Sequence, residues 1–238
     1  VIEACREHEV ELLPTTPTFL RMLLMSGYVP RRIPQTLKII TYGTELMDEL
    51  TLKMISELLP KVDFRQTYGV SELGVMSIKQ ESKKSLFFKI GGEGVETRIR
   101  DNILQIKSET RMVGYLNSES PFIEDGWYNT KDIVEERNGF FKIVGRDSDI
   151  INVSGLKFMA SEVEQVIMTY KDILFVKVLP KNNPITGQHC EVKIQPVNKL
   201  NFDMKEFKIF MSKNLQSHMV PKKISFEDSM IGHRLKRK

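Results

Sequence analysis

The sequence of 238 residues lacks the features that mark several large classes of protein. Its two cysteines, Cys5 and Cys190, form no CxxC pair, so neither a disulfide framework nor a zinc ribbon is indicated. The four histidines do not cluster at metal-ligand spacing. No apolar run approaches the roughly 18 residues that span a bilayer, and the charged N-terminal segment VIEACREHEV does not fit a signal peptide. These absences favour a cytoplasmic protein without a membrane span.

The sequence also lacks an excess of charge of one sign. Thirty-five basic and 31 acidic side chains are interspersed and leave a net charge of +4, which does not favour nucleic acid or an anionic membrane as a partner. Basic residues are concentrated only in the C-terminal segment IGHRLKRK. A solvated tail is the default interpretation of this segment, with a phosphate-clamping element as an alternative. A nucleic-acid patch ranks last because the expected interleaving of aromatic and basic residues is missing.

What the sequence does have is enough apolar material for a core, since 41% of its residues are hydrophobic. Its first part predicts an alternation of helices over 1–8, 18–26 and 45–59 with strands over 10–13, 37–42 and 62–67. The third helix is predicted from a stripe of apolar residues at helical spacing, which are Leu46, Leu50, Met54 and Leu58. This order indicates a layered α/β domain.

After about residue 84 the pattern changes to short strands. Strands over 95–100 and 103–108 flank Asp101 and Asn102, and strands over 132–136 and 140–144 flank an Asn-Gly pair at 138–139, which predicts two hairpins in a small antiparallel sheet or barrel. From residue 150 strands and helices mix, with Ser161 as the expected N-cap of a helix over 161–170. The predicted domains are 1–147, divided near residue 84 into α/β and β-rich parts, and a smaller α+β domain over 148–238.

Three segments carry side chains suited to nucleotide chemistry. In QTYGVSELG (66–74) a hydroxyl, Ser71, lies beside a carboxylate, Glu72, which suits a phosphate and a magnesium ion. In DGWYNTKD (125–132) the Asp132 carboxylate can accept hydrogen bonds from both hydroxyls of a ribose. In GRDSDIINVSGLKF (145–158) the Arg146 guanidinium can donate two hydrogen bonds to a phosphate or ribose oxygen, and Gly155 indicates a tight turn. Taken singly, each segment is better explained as a surface turn, with Ser71 as a helix N-cap.

The order of these motifs is more specific than any of them alone. Tyr-Gly-x-Ser-Glu at 68–72, Gly-Trp-x-x-Thr-x-Asp at 126–132, and Gly-Arg-x-x-Asp-x-Ile at 145–151 are followed by Ser-Gly at 154–155 and Glu-Val-Glu at 162–164. This series resembles the adenylate-forming superfamily, which includes acyl-CoA synthetases, adenylation domains of peptide synthetases, and luciferases. The resemblance covers the chain from about residue 41 to its end. It implies the end of a large AMP-binding domain followed by a mobile α+β lid domain.

The resemblance implies a ligase that uses ATP and Mg²⁺ to convert a small carboxylic acid into an acyl-adenylate, with release of pyrophosphate. CoA or the pantetheine thiol of a carrier protein then takes the acyl group. Carried over by position, Gly43, Thr44 and Glu45 would line the adenine, with Tyr68 and Gly69 beside it. Ser71 would contact phosphate, Glu72 would hold magnesium, and Asp132 would hold the ribose hydroxyls.

The resemblance assigns Arg146, at the end of the first predicted domain, to a ribose or phosphate oxygen. In the second domain it assigns Ser148 to the hinge of the lid and Gly155 to the pantetheine tunnel. The family's catalytic lysine has no plain counterpart, because Arg234 stands at its position and Lys236 fits only with a larger shift.

Two further departures concern the rest of the family pattern. Lys131 replaces the usual glycine before Asp132, which we expect to be tolerated. The family's Ser/Thr/Gly-rich phosphate loop is missing and the first residue is Val1, so we expect the C-terminal part of a longer ligase. The alternative is a catalytically silent module that binds a nucleotide or acyl group. The acid, the thiol acceptor and the oligomeric state are left open.

Overall fold

The computed structural model describes residues 1–230. Within this range the contacts divide the chain into two compact units, Val1–Ile143 and a second that begins at Val144. The domain boundary expected after residue 147 stays a prediction, and Arg234 and Lys236 lie outside the described residues. No helix within residues 1–230 is long and apolar enough to cross a membrane.

The first unit begins with the predicted alternation of helices and strands. Three parallel strands form a sheet in the order β1-β2-β3, and these are β1 Leu12–Thr15, β2 Ile39–Tyr42 and β3 Asp63–Gln66. The helices between and before them are α1 Ile2–Glu7, α2 Pro17–Met25 and α3 Glu49–Leu58. Strand β1 runs through Pro14 instead of ending there, which is tolerated because β1 is the edge strand of this sheet.

Helix α3 exposes the stripe that was expected to mark its apolar face. Leu50, Met54 and Leu58 are 45%, 44% and 41% exposed, whereas Leu52 and Ile55 are buried against the sheet. Both rows have helical spacing, so the sequence identifies the helix without showing which row faces inward. The helix also starts at Glu49, four residues later than predicted, because the Asp48 side chain caps its first turn.

The remainder of the first unit is an eight-stranded sheet in the order β4-β5-β6-β11-β10-β8-β7, with β9 paired to β10. Its strands are β4 Tyr68–Val70, β5 Gly74–Gln80, β6 Phe88–Gly91, β7 Val95–Arg100, β8 Ile103–Ser108, β9 Phe122–Ile123, β10 Trp127–Arg137 and β11 Phe140–Arg146. The two predicted hairpins are confirmed. Asp101 and Asn102 have φ of 51° and 61°, and Asn138 and Gly139 have 52° and 71°, the left-handed pairs that tight hairpin turns require.

The second unit packs two helices on a five-stranded sheet in the order β13-β12-β15-β14, with β16 parallel to β15. Its elements are β12 Ile150–Val153, β13 Leu156–Met159, α4 Ala160–Met168, β14 Ile173–Asn183, β15 Gly187–Pro196, α5 Met204–Asn214 and β16 Lys223–Phe226. The expected mixed α+β pattern is present, but the sequence analysis missed β13.

The predicted N-cap of α4 is wrong. Met159 is the N-cap, and its amide donates to the Glu162 carboxylate over 2.8 Å. The Ser161 hydroxyl instead donates to the carbonyl oxygen of Val144. Strand β13 runs directly into the helix, so its last residue, Met159, is the N-cap. Glu162, three residues later, accepts the hydrogen bond from the N-cap amide that is typical of a capping box.

Candidate functional site

Two side chains from separate motifs meet in the core of the first unit. The Tyr68 hydroxyl donates to Asp132 Oδ2 over 2.7 Å, although 64 residues separate the two along the chain. Both are buried, with exposed fractions of 8% for Tyr68 and 5% for Asp132. Strand β4 carries the tyrosine and β10 the aspartate, so the fold of the sheet joins two residues that the sequence analysis selected independently.

Asp132 is placed by a bulge in β10. The pairing of β10 with β8 shifts between Asn129 and Ile133, so that three residues of β10 stand opposite Leu104. The Thr130 hydroxyl donates to the Leu104 carbonyl over 2.8 Å and accepts the Asp132 amide over 3.0 Å. Bulges of this kind redirect a side chain out of the normal alternation of a strand. The hydrogen bonds of Thr130, which belongs to the same motif, therefore fix the direction of the Asp132 carboxylate.

Lys131 lies at the turn of this bulge in a left-handed conformation, with φ of 60°. Such a backbone costs a residue with a Cβ about 1–2 kcal/mol, whereas glycine adopts it freely. We expect Lys131→Gly to raise the free energy of unfolding by about 0.5–1 kcal/mol after the entropy of the unfolded glycine is counted. Lys131→Ala removes the same charge but keeps the strained backbone, and should give no gain. Urea unfolding followed by the fluorescence of Trp127, the single tryptophan, measures both variants; equal stabilities for the two would contradict this account.

The segment 66–74, expected to be a loop, contains a β-hairpin instead. Strand β4 pairs with β5 from Tyr68 opposite Met76 to Val70 opposite Gly74, so no helix follows and the N-cap interpretation of Ser71 is wrong. Ser71 is exposed at the hairpin tip and Glu72 is half-buried beside it. A three-residue strand that contains glycine is too short to give a recognisable alternation.

Gly69 makes this hairpin possible because its backbone lies close to the partner strand. A Cβ at Gly69 would stand 2.7 Å from the Gly74 carbonyl oxygen and 2.9 Å from Val75 Cα. Both of those atoms belong to the backbone, so they can move only if the strands separate. The role of Gly69 seen here is to let the two strands approach, while its proposed place beside the adenine stays a prediction.

Gly69→Ala is expected to lower the free energy of unfolding by about 1–3 kcal/mol, as overpacking against immobile atoms does. Gly91→Ala is the matched control, because Gly91 also lies in a strand of this sheet and a Cβ there meets nothing within 4 Å. Its cost should stay within about 0.5 kcal/mol. Thermal and urea unfolding of the two variants decide the matter, and equal losses would show that the close approach at Gly69 is unimportant.

Glu72 is held by two groups from one later segment of the chain. The Tyr115 hydroxyl donates to the Glu72 carboxylate oxygen Oε1, and the Met112 amide donates to the Glu72 carbonyl over 2.9 Å. The hydrogen bond to this carboxylate raises the pKa of the Tyr115 phenol above its usual value. Sequence reasoning missed Tyr115, because one exposed aromatic residue between turn residues carries no pattern that indicates a role.

Glu72 supplies one carboxylate, a ligand that suits a magnesium ion reaching the site together with phosphates. Among residues 1–230 no group of three or more His, Cys, Asp or Glu side chains is placed to hold a metal by itself. Mg²⁺ commonly binds through one or two carboxylates, with phosphate oxygens and water completing its octahedron. Glu72 and a nucleotide would together provide such a set.

The three residues expected to line the adenine, Gly43, Thr44 and Glu45, directly follow the end of β2. A Cβ at Gly43 would stand 2.2 Å from Thr67 Oγ1 and 2.7 Å from the Thr67 carbonyl oxygen, so this close approach requires glycine. Thr44 has φ of 67° and is exposed. The Glu45 carboxylate accepts the Thr18 amide over 3.0 Å, which places its charge at the N-terminus of α2. Glu45 therefore anchors a helix, and its contact with an adenine stays a prediction.

The other predicted site residues belong to the second unit. Arg146 is exposed at the end of β11, and Ser148 lies in the 3₁₀ turn that follows, where its hydroxyl donates to Asp149 Oδ1 over 3.3 Å. Gly155 has φ of 88° in the tight turn between β12 and β13, and its amide donates to Asn152 Oδ1 over 3.0 Å. The expected turn at Gly155 is confirmed. The roles assigned to these three residues stay predictions.

Relatives of the chain were found among curated proteins, although no protein-family model matches it. A 2-succinylbenzoate–CoA ligase of Listeria monocytogenes is 28% identical over 176 residues, which are 69% of this chain and 37% of the ligase. The 4-coumarate–CoA ligase-like 4 of Oryza sativa is 23% identical over 250 residues, covering 95% of this chain and 44% of that protein. The chain thus spans less than half the length of these two relatives.

Solved structures share the fold of the chain. The amide bond synthetase McbA of Marinactinospora thermotolerans has a TM-score of 0.80 at 19% identity, over 98% of this chain and 51% of that one. The o-succinylbenzoate CoA synthetase MenE of Bacillus subtilis, solved with the acyl-adenylate intermediate OSB-AMP, has a TM-score of 0.75 at 19% identity and covers 100% of this chain and 51% of that one. The ligase relatives in sequence, together with this shared fold, confirm the resemblance inferred from the order of the motifs.

Proposed function

We propose that this chain, which resembles the C-terminal portion of adenylate-forming acyl-CoA ligases in sequence and fold, provides the nucleotide-binding part of an AMP-forming acid–thiol ligase. The observation that carries the proposal is the buried Tyr68–Asp132 pair. A carboxylate that is fixed by a neighbouring hydroxyl and withdrawn from bulk water is a strong acceptor for a diol.

Asp132 is proposed to hold the ribose. A carboxylate offers about four lone-pair sites, so Asp132 can accept from Tyr68 and from the two ribose hydroxyls at the same time. The bulge at 130–132 fixes the direction of the carboxylate before any ligand arrives, which lowers the entropy lost on binding.

The tip of the β4–β5 hairpin is proposed to receive the phosphates. The exposed Ser71 hydroxyl can donate to a phosphate oxygen, and Glu72 is the residue that would hold Mg²⁺. When bound, the ion neutralises charge on the phosphate oxygens. Gly69 keeps this tip in place by allowing β4 and β5 to close.

The proposed reaction has two steps. The carboxylate of the acid attacks the α-phosphorus of ATP, the bond to the β-phosphate oxygen breaks, and pyrophosphate leaves. A thiolate of CoA or pantetheine then attacks the acyl carbon and AMP leaves. Displacement at phosphorus gathers charge on the equatorial oxygens, so cations lower its barrier. Arg146 is proposed for this task, with Ser148 as the hinge and Gly155 on the thiol path.

Calorimetry with the 238-residue chain tests the nucleotide site directly. We expect AMP and a non-hydrolysable acyl-sulfamoyl adenosine to bind, and UMP to bind more weakly. Hydroxamate trapping with a panel of carboxylic acids, on this chain and on the longest form encoded by its source, then separates the alternatives. Turnover by the longer form supports the ligase, whereas AMP binding without turnover in either form supports the silent module. Failure of both AMP and the analogue to bind would contradict the proposal.

A further inference from the structure

The segment between β8 and β9, here called the strap and comprising residues 109–116, crosses to the tip of the β4–β5 hairpin without forming a helix or strand of its own. Its start is fixed by hydrogen bonds from two backbone amides. The Glu109 amide donates to the Gly94 carbonyl over 3.1 Å, and the Thr110 amide donates to Ser108 Oγ over 3.2 Å. The strap therefore leaves the sheet in a defined direction.

Arg111 fixes the middle of the strap. Its guanidinium lies 5.3 Å from the centroid of the Phe122 ring, within the range of a cation–π contact. A Cβ at Gly126 would stand only 1.5 Å from Arg111 Nη1. Gly126 also has φ of 83°, a conformation that disfavours residues with a Cβ, and a side chain there would displace the Arg111 guanidinium from this position. The glycine of the Gly-Trp motif thus makes room for the arginine of the strap.

The strap ends on Glu72, which it contacts twice. The Met112 amide binds the Glu72 carbonyl and the Tyr115 hydroxyl binds the Glu72 carboxylate. Between and beside these two anchors, the Val113 and Leu116 side chains are fully exposed. Apolar burial by those two residues therefore does not set the path of the strap, which follows the polar contacts to Glu72.

We infer that Tyr115 is a positioning residue, which holds the Glu72 carboxylate in the orientation that receives a Mg²⁺–nucleotide complex. The inference rests on the proposed function and extends it to a residue outside the motifs. Met112 fixes the main chain of Glu72 while Tyr115 fixes its side chain, so the carboxylate is ordered before the ion arrives. A ligand held in this way loses less conformational entropy when it binds. Tyr115 itself needs no contact with substrate.

The test compares ATP binding by calorimetry in excess Mg²⁺ and in EDTA. The unmodified chain should bind ATP more tightly with Mg²⁺, and Tyr115→Phe should lose about threefold to tenfold of that gain while its affinity in EDTA is unchanged. Tyr28→Phe is the matched control, since it also removes one phenol hydroxyl, from a ring that contacts Arg32 and packs against the cluster of Ile2, Phe19 and Leu23. Hydrogen exchange without nucleotide should show faster exchange across 109–116 in Tyr115→Phe alone.

The outcomes separate this inference from the proposed function. Faster exchange together with a reduced Mg²⁺ gain supports the positioning role. A Mg²⁺ gain equal to that of the unmodified chain overturns it, as does unchanged exchange of the strap. If the unmodified chain binds neither ATP nor AMP nor the acyl-sulfamoyl analogue, the proposed function fails, and the exchange measurement still decides whether Tyr115 holds the strap on Glu72.

Discussion

Asp132→Asn is expected to weaken AMP binding about 100-fold, the largest functional effect of a single substitution in this chain. The change keeps the shape of the side chain but removes its charge, and each of the two ribose hydroxyls loses a charge-assisted hydrogen bond. The amide also presents an NH₂ group where Tyr68 and the ribose both donate. Calorimetry with AMP measures the loss.

Asp125→Asn is the matched control for this substitution. Asp125 is exposed in the turn before β10 with φ of 56°, a conformation that asparagine adopts readily, so the same loss of charge should leave AMP affinity unchanged. Tyr68→Phe should give a smaller loss of about tenfold, because the carboxylate remains but loses one fixed donor. An Asp132→Asn chain that keeps its circular dichroism spectrum and binds AMP within about threefold of the unmodified chain would exclude Asp132 as the ribose ligand.

Local chemistry made part of the fold predictable. The hairpins at 101–102 and 138–139 were predicted because Asp, Asn and Gly tolerate the left-handed backbone that their turns require. Strands β7 and β8 have the bounds that the sequence predicted. In each of these cases a few neighbouring residues decide the conformation.

The predictions that were wrong concern features that are set by contacts between residues far apart in the sequence. The inward face of α3 depends on which apolar row meets the parallel sheet, and both rows have the same spacing. The β4–β5 hairpin depends on a glycine that allows two backbones to approach, which leaves no hydrophobic pattern. Short strands and capping positions are set by such contacts more than by propensity.

The candidate site likewise has some features that the sequence predicts and others that depend on contacts between distant residues. The motifs single out Tyr68 and Asp132 as candidate binding residues. The contact between them, however, follows from the order of strands in the sheet and from the bulge at 130–132. Tyr115 lies in no motif and is tied to Glu72 by the course of the strap. Sequence reasoning can therefore nominate the groups that touch a ligand more readily than the groups that hold them.

Asp48→Ala is expected to lower the free energy of unfolding by about 3–4 kcal/mol at neutral pH. Arg21 donates to Asp48 Oδ2 through Nε at 3.0 Å and Nη2 at 2.6 Å, and the two side chains are only 11% and 15% exposed. Asp48 also caps α3 by accepting the Thr51 amide over 2.7 Å. The substitution leaves a guanidinium with little access to water and without its carboxylate, and removes the cap as well.

Asp63→Ala is the control for a pair at the surface. Asp63 contacts Arg65 and Lys83, whose side chains are 57% and 82% exposed, so water already screens these charges. The loss should be below about 1 kcal/mol. Urea unfolding followed by Trp127 fluorescence compares the two variants, and similar losses would show that burial of the Arg21–Asp48 pair has no special weight.

The contribution of the Asp48 charge should depend on pH. Burial acts to raise the pKa of Asp48, but the Arg21 charge and the hydrogen bonds from Thr51 and Arg21 outweigh it and hold the pKa below the ordinary 3.8. Because the folded pKa is the lower one, the stabilisation is complete above the unfolded value and is lost as the pH falls through the folded value. The difference in unfolding free energy between the unmodified chain and Asp48→Asn, which keeps a capping oxygen, should thus be largest near neutrality and shrink below about pH 4. A difference that stays constant from neutral to acid pH would mean that packing, and not the charge of Asp48, joins α2 to α3.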